Sequence, residues 1–185
     1  MRELIVTENI TVDGVVEAAE WFDVANAAGV DQSDLVGTLR AHMADSDAVL
    51  FGRVSFEEMR GYWPQQTEDT SGVTEHLNKV TKYVVSSTLH DPEWENTVVL
   101  RGPLVEEIRA VKDQPGKDIV STGSIQLVRA LIAADLVDEY RLFVYPVVLG
   151  TGRRLFENAT EVPVLRLVET RPFNSGVVLL RYRKA

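Results

Sequence analysis

A strand that stops at a run of small residues and hands over at once to a helix is the feature that most constrains this chain. In Asp118-Ile-Val-Ser-Thr-Gly-Ser-Ile-Gln-Leu-Val-Arg-Ala-Leu-Ile, the apolar pair Ile119 and Val120 runs into Ser-Thr-Gly-Ser. A helical pattern follows, with Ile125, Leu127, Val128, Leu131 and Ile132 on its inward side. The first N–H groups of such a helix have no intrahelical acceptor, and the positive end of the helix dipole lies behind them, a setting that suits a phosphate. A Ser/Gly turn can also be no more than a helix cap. The chain repeats the arrangement at Leu50-Phe-Gly-Arg-Val-Ser-Phe-Glu-Glu-Met. Two such turns in one small domain point to a ligand with two or more phosphates.

The remaining pattern supplies the frame for those turns. Leu4 to Val12 reads as a strand near the centre of a sheet. Residues 14–32 read as a long loop around Trp21 and Phe22, of the length that usually carries function. Ser33 or Asp34 can cap a helix running to about Asp45, with Leu35, Leu39, His42 and Met43 on one face. Ala48 to Phe51 is a short buried strand, and Ser55 to Met59 continues as helix. Gly61 to Gly72 reads as an aromatic-bearing loop before a helix near 72–79. Strands at Lys82 to Ser87 and Thr97 to Leu100 precede a helix from Leu104 to Val111, closed by Pro115-Gly116. Val137 to Pro146 is a strand ended by its proline, and Val164 to Glu169 with Gly176 to Arg183 forms an antiparallel pair. Strands alternating with helices, followed by strands alone, predict a mostly parallel mixed sheet with antiparallel C-terminal strands.

At 185 residues and 45% hydrophobic, the chain suits a single α/β domain over 1–185. No run reaches the length of a membrane span, and Met1-Arg-Glu-Leu-Ile-Val goes straight into a strand without the segments of a signal peptide, so cytoplasmic residence is expected. With no cysteine, disulfides, thiolate metal sites and thiol nucleophiles are excluded. His42, His76 and His90 form no HxxxH or HxH pair, so no metal is expected. A net charge of -9 argues against general nucleic-acid binding, which rests on neutralising phosphates with Lys and Arg.

Six pieces occur in a telling order: Asn9-Ile-Thr-Val-Asp-Gly, Gly52-Arg-Val-Ser-Phe-Glu, Val84-Val-Ser-Ser-Thr, Thr122-Gly-Ser, Leu136-Val-Asp-Glu-Tyr-Arg-Leu and Pro146-Val-Val-Leu-Gly-Thr-Gly-Arg-Arg-Leu-Phe. Together they resemble the dihydrofolate reductase-like superfamily, and more closely its branch containing the reductase domain of the bacterial riboflavin-biosynthesis deaminase/reductase. The resemblance implies a three-layer α/β/α sandwich that binds NADPH. Gly52 would let backbone approach a phosphate, with Arg53, Val54 and Ser55 opening the helix. Ser86, Ser87 and Thr88 would surround the adenosine 2′-phosphate. Thr122, Gly123, Ser124, Ile125 and Gln126 would cradle the pyrophosphate, and Asn9 and Val16 would flank the nicotinamide. Trp21, Phe56, Met59, Trp63 and Tyr145 are candidates for a planar-substrate pocket. Asp13 is first a turn residue and second a catalytic candidate.

The implied reaction is hydride transfer from NADPH to a C=N or C=O group of a small heterocycle, a ribosylamino-pyrimidine of riboflavin biosynthesis or a pterin. The alternatives are a binding module for NADPH without turnover, a dihydrofolate or pterin reductase, and a site for another nucleotide. Two departures bear on the pterin reading. Classical members place a glycine pair at the cradle, whereas Thr122 precedes Gly123 here, and a cis bond between those two would cost roughly 3 kcal/mol. Asp23, Asp31 and Asp34 give no clean match to the carboxylate on the first helix. The Cys/His zinc set of the deaminase half is absent. Finally, the apolar run Leu142 to Gly150, continued by residues 150–156, predicts a homodimer through residues 140–156, or else a completed monomer core.

Overall fold

The computed structural model describes residues 1–16, 29–157 and 164–185. The expected long loop, with Trp21 and Asp23, falls largely outside the described residues. Strand β1 (Leu4–Thr11) is followed by α1 (Ser33–Ala44), β2 (Ser46–Gly52), α2 (Arg53–Tyr62) and a 3-10 turn (Trp63–Gln65). Helix α3 (Val73–Lys79), β3 (Thr81–Val85), β4 (Thr97–Leu100), α4 (Leu104–Asp113) and β5 (Asp118–Ser121) come next. The chain ends with α5 (Ile125–Ala133), β6 (Glu139–Tyr145), β7 (Leu165–Pro172) and β8 (Val178–Lys184). These strands form one eight-stranded sheet in the order β4-β3-β2-β5-β1-β6-β8-β7. Pairing is parallel from β4 through to β6 and antiparallel for β6–β8 and β8–β7.

The winding explains why helices cover both faces. From β1 the chain steps outward to β2 and then β3, and it later returns from β4 through β5 to β6. Right-handed crossovers put the helices of the outward and return journeys on opposite faces. On one face, Leu4, Val6, Ile10, Ala48, Leu50, Ile119 and Leu142 pack with Ile108 and Val111 of α4 and with Leu127, Val128 and Leu131 of α5. On the other, Val49, Phe51 and Val84 pack with Phe56 of α2 and Leu77 of α3, while Phe143, Tyr145 and Leu179 meet Leu35 of α1. The molecule is therefore the expected three-layer α/β/α sandwich. None of its described helices is long and apolar enough to cross a membrane.

Strand β6 lies between β1 and β8, and its Leu142, Phe143 and Tyr145 are buried within the monomer. The apolar run thus divides: Leu142, Phe143 and Tyr145 complete the core, while Val148 and Leu149 of the following loop stay exposed. Buried Glu139 ties β8 to β6, accepting from Arg141 at 2.7 Å, Arg181 at 2.9 Å and Arg183 at 3.2 Å.

Candidate cofactor site

Strands β2 and β5 are neighbours, and each ends in a tight turn into a helix. Because their helices lie on opposite faces, the N-termini of α2 and α5 flank one point at the C-terminal edge of the sheet. In open α/β sheets this is the crevice that binds ligands. The N–H of Gly52 donates to the carbonyl of Gly123 at 3.4 Å, which joins the two turns. Ser55 and Ser124 complete the cluster. A Cβ on Gly52 would lie 2.4 Å from Ser124 Oγ, and one on Gly123 would lie 3.0 Å from Ser55 Oγ. Gly123 has φ of +135°, in the region that side chains other than glycine's rarely adopt. An added side chain at either glycine would thus meet a serine of the facing turn, and at Gly123 it would also meet an unfavourable φ. The peptide between Gly123 and Ser124 is cis, one bond further along than the Thr122–Gly123 bond considered from sequence.

The electrostatics of the two helix starts differ from those of the other helices. None of the described helices has a side-chain cap at its N-terminus, but α2 and α5 also have no acidic residue in the first turn. By contrast, α1, α3 and α4 carry Asp34, Glu75, and Glu106 with Glu107 at that place. Acids there neutralise the dipole and occupy free N–H groups. The two helices that converge on the crevice leave their positive ends available, and Arg53 adds a cation at the start of α2. Its guanidinium donates to Glu57 Oε2 at 2.8 Å across the helix surface. Val54 is exposed beside it, and Thr122 and Gln126 are exposed at the α5 side.

At the ends of β3 and β4 the chain forms the turn that holds Ser86, Ser87 and Thr88. Ser86 Oγ accepts from the N–H groups of Thr88 at 3.1 Å and Leu89 at 3.0 Å, so this hydroxyl serves the turn. Ser87 and Thr88 are exposed. Arg101, not singled out from sequence, donates to Ser87 O at 3.3 Å and to Leu89 O, bringing a cation to the same turn. Its signal was its place at the end of β4, next to β3.

Beyond the crevice, β1 and β5 part company. Their register ends at Val6 with Ser121, while β1 continues to Thr11 paired with β6 alone. Asn9 is exposed on this continuation and Val16 is buried, its N–H donating to Arg153 O at 3.0 Å. Glu8 faces the α5 side, buried with Oε1 unpartnered, and burial pushes its carboxyl up to about 8. Ser121 Oγ, on the same face, is also buried and unpartnered. Neither residue stood out from sequence. The signal available was alternation: Leu4, Val6, Glu8 and Ile10 share one face, and an acid there interrupts an apolar row.

Asp13 has an anchoring geometry. Its carboxylate accepts from Thr11 Oγ1 at 2.7 Å, Leu149 N at 3.3 Å and Gly150 N at 2.7 Å. The Thr11 hydroxyl and the Gly150 N–H hold it at about 2, well below the usual carboxylate range. An ionised group with these partners clasps the turn after β1 to the loop after β6, and in this state has no proton to give. Arg154 strengthens the clasp by donating to Asp13 O at 3.1 Å. Asp31 and Asp34 are likewise engaged, both accepting from Asn174.

Of the pocket candidates, Phe56 is corrected to core. It is fully buried and packs in the core, with its ring centroid 6.4 Å from that of Phe51 and 5.8 Å from that of Trp94. Tyr145 is corrected in the same way, being buried with Phe143 and Phe173. Met59 and Trp63 are half-buried on the edge of the Phe56 cluster, and Trp63 Nε1 donates to Met59 Sδ at 3.1 Å. Trp21 lies outside the described residues.

Comparison with known proteins places this geometry. Residues 2–179 match the RibD C-terminal domain. The uncharacterized protein YyaP of Bacillus subtilis (strain 168) is 32% identical over 189 residues, covering 98% of this chain and 94% of its own. Among solved structures, a diaminohydroxyphosphoribosylaminopyrimidine deaminase/5-amino-6-(5-phosphoribosylamino)uracil reductase from Thermotoga maritima superposes with a TM-score of 0.69 at 14% identity, covering 100% of this chain and 57% of that one. Dihydrofolate reductase from Enterococcus faecalis, solved with NADP(H) and RAB-propyl, gives a TM-score of 0.64 at 17% identity, covering 98% and 96%. The chain belongs to the RibD C-terminal domain family.

Proposed function

We propose that this protein is an NADPH-dependent reductase acting on a small heterocyclic substrate, of the ribosylamino-pyrimidine class. The observation that carries the reading is the convergence of two helix N-termini without first-turn acids at one sheet edge, with Gly52 and Gly123 letting the two turns and their serines, Ser55 and Ser124, pack together there. This site favours an anion approached by backbone on two sides, as a pyrophosphate would be. The layout along the edge supports a dinucleotide. Neighbouring strands are about 4.8 Å apart, so β4 to β1 spans roughly 19 Å. Over that span lie the Ser87, Thr88 and Arg101 turn, the crevice, and then the gap between β1 and β5. The 2′-phosphate would go to the first, the pyrophosphate to the second and the nicotinamide to the third.

When bound, NADPH supplies the hydride. The chain's own contribution is orientation. First-turn N–H groups of α2 and α5 would hold the pyrophosphate, and Arg53 and Arg101 would add charge. The Asp13 clasp keeps the turn after β1 fixed against the loop after β6, which holds Val16 at the nicotinamide end. The E. faecalis reductase solved with NADP(H) and the T. maritima reductase support the cofactor and substrate class by likeness of fold. Fluorescence titration tests the reading: NADPH is expected to bind more tightly than NADH, and ATP weakly. Equal affinity for the two nicotinamides, or none for either, would reject it.

A further inference from the structure

Two buried polar atoms without partners share one face of the sheet at the point where β1 and β5 separate. Val6 and Ser121 are register partners, so their side chains share a face, and Glu8 is the next residue of β1 on that face. Ser121 is 0% exposed and Glu8 is 7% exposed, and Ser121 Oγ and Glu8 Oε1 have no hydrogen-bond partner. A buried polar group left unsatisfied is costly, so a pair of them calls for a missing partner. Beyond Ser121 the chain turns away into the Thr122–Ser124 cradle, while β1 runs on. The two groups therefore lie where the β1–β5 pairing ends, on the face of the sheet that α5 covers.

We propose that Glu8 and Ser121 are positioning residues that receive the carboxamide of the nicotinamide. This rests on the NADPH reading above and adds to it side chains that select one end of the cofactor. Along the sheet edge, the nicotinamide end falls at β1, and the carboxamide is the one polar substituent of that ring. Burial keeps a proton on Glu8 at neutral pH, so the carboxyl presents one donor and one acceptor. A primary carboxamide presents one acceptor and two donors, and the two groups can exchange a pair of hydrogen bonds. The Ser121 hydroxyl can then accept from the second amide hydrogen or donate to the carbonyl.

The test compares two ligands that share the cradle and differ at this end: NADPH, and 2′-phospho-ADP-ribose, which has no nicotinamide. Affinities are read by calorimetry. Glu8→Ala is expected to weaken NADPH about fivefold or more and leave 2′-phospho-ADP-ribose within twofold of wild type. Glu8→Gln, which keeps one donor and one acceptor in the same shape, is expected to restore most of the NADPH affinity. Equal weakening of both ligands would show a general structural role and overturn the proposal, as would NADPH binding that is indifferent to Glu8. If wild type binds 2′-phospho-ADP-ribose and NADPH equally well, the nicotinamide gains nothing from the gap and only this inference falls. If it binds neither, the function reading falls and carries this one with it. Should Glu8→Ala fail to fold, Ser121→Ala removes a single oxygen and decides on the same comparison, with an expected threefold selective loss of NADPH; no loss, or loss for both ligands, overturns the proposal.

Discussion

At the scale of single residues, charge and burial make two groups experimentally accessible. Arg53 is the cation at the start of α2, and a charge-assisted contact to a phosphate contributes roughly 1.5–3 kcal/mol. Arg53→Ala is therefore expected to weaken NADPH binding at least tenfold with little change in thermal stability, since its pairing with Glu57 lies on the exposed helix surface. Glu8 gives the opposite signature, in stability. Burial alone raises it from 4.5 to about 8 in the folded protein, so the folded state holds its proton where the unfolded chain has released it. Its contribution to stability is fully present below 4.5 and is lost as the pH rises to about 8. The window corresponds to an upper bound on the order of 4–5 kcal/mol. Urea unfolding near pH 5 and about pH 8.5 should show a clear loss in wild type and a smaller one in Glu8→Gln; the same loss in both would place the pH dependence elsewhere.

At the scale of elements, the strand–turn–helix units carry the site, and the glycines set how closely they meet. Gly123→Val brings a branched side chain to φ of +135°, with Ser55 Oγ 3.0 Å from its Cβ. Loss of NADPH binding is expected while circular dichroism keeps the wild-type helix and strand signal, because the substitution lies in a turn at the edge of the sheet, outside the hydrophobic clusters. Normal binding by the folded variant would mean that the cofactor lies elsewhere. These units were legible in the sequence because a strand ending in small residues before an apolar helix stripe is a local pattern. Boundaries at Leu104 and Thr97 were legible for the same reason, whereas the helix that Ser33 or Asp34 was expected to cap already begins at Ser33, after Gln32. The pocket residues were harder to read. Phe56 lies in the first turns of α2 and Tyr145 at the end of β6, and composition alone does not tell a ring that faces a cleft from one that fills a core. That distinction depends on which face each helix turns to the sheet, a property of the crossovers. Glu8 was missed because its neighbours make β1 read as an ordinary core strand; its meaning emerges only where the β5 partner ends.

At the scale of the whole molecule, one rule of handedness generates the site. Outward and return crossovers put α2 and α5 on opposite faces while β2 and β5 lie side by side, and the crevice follows. The same topology withdraws β6 from the surface, so the proposal of a homodimer now rests on a smaller apolar set in the following loop: Val148, Leu149 and Phe156, exposed by 71%, 38% and 42%. Light scattering at micromolar concentration is expected to give twice 20.6 kDa; a mass of one chain would reject the dimer without touching the cofactor reading. The central claim is that a phosphate-bearing cofactor sits between the two helix N-termini. Amide chemical-shift mapping by NMR on addition of NADPH tests it most directly. The largest changes are predicted at Gly52, Arg53, Val54, Gly123, Ser124 and Ile125, with weaker ones at Ser87 and Thr88. Saturable binding that leaves the amides of both helix starts unmoved would contradict it.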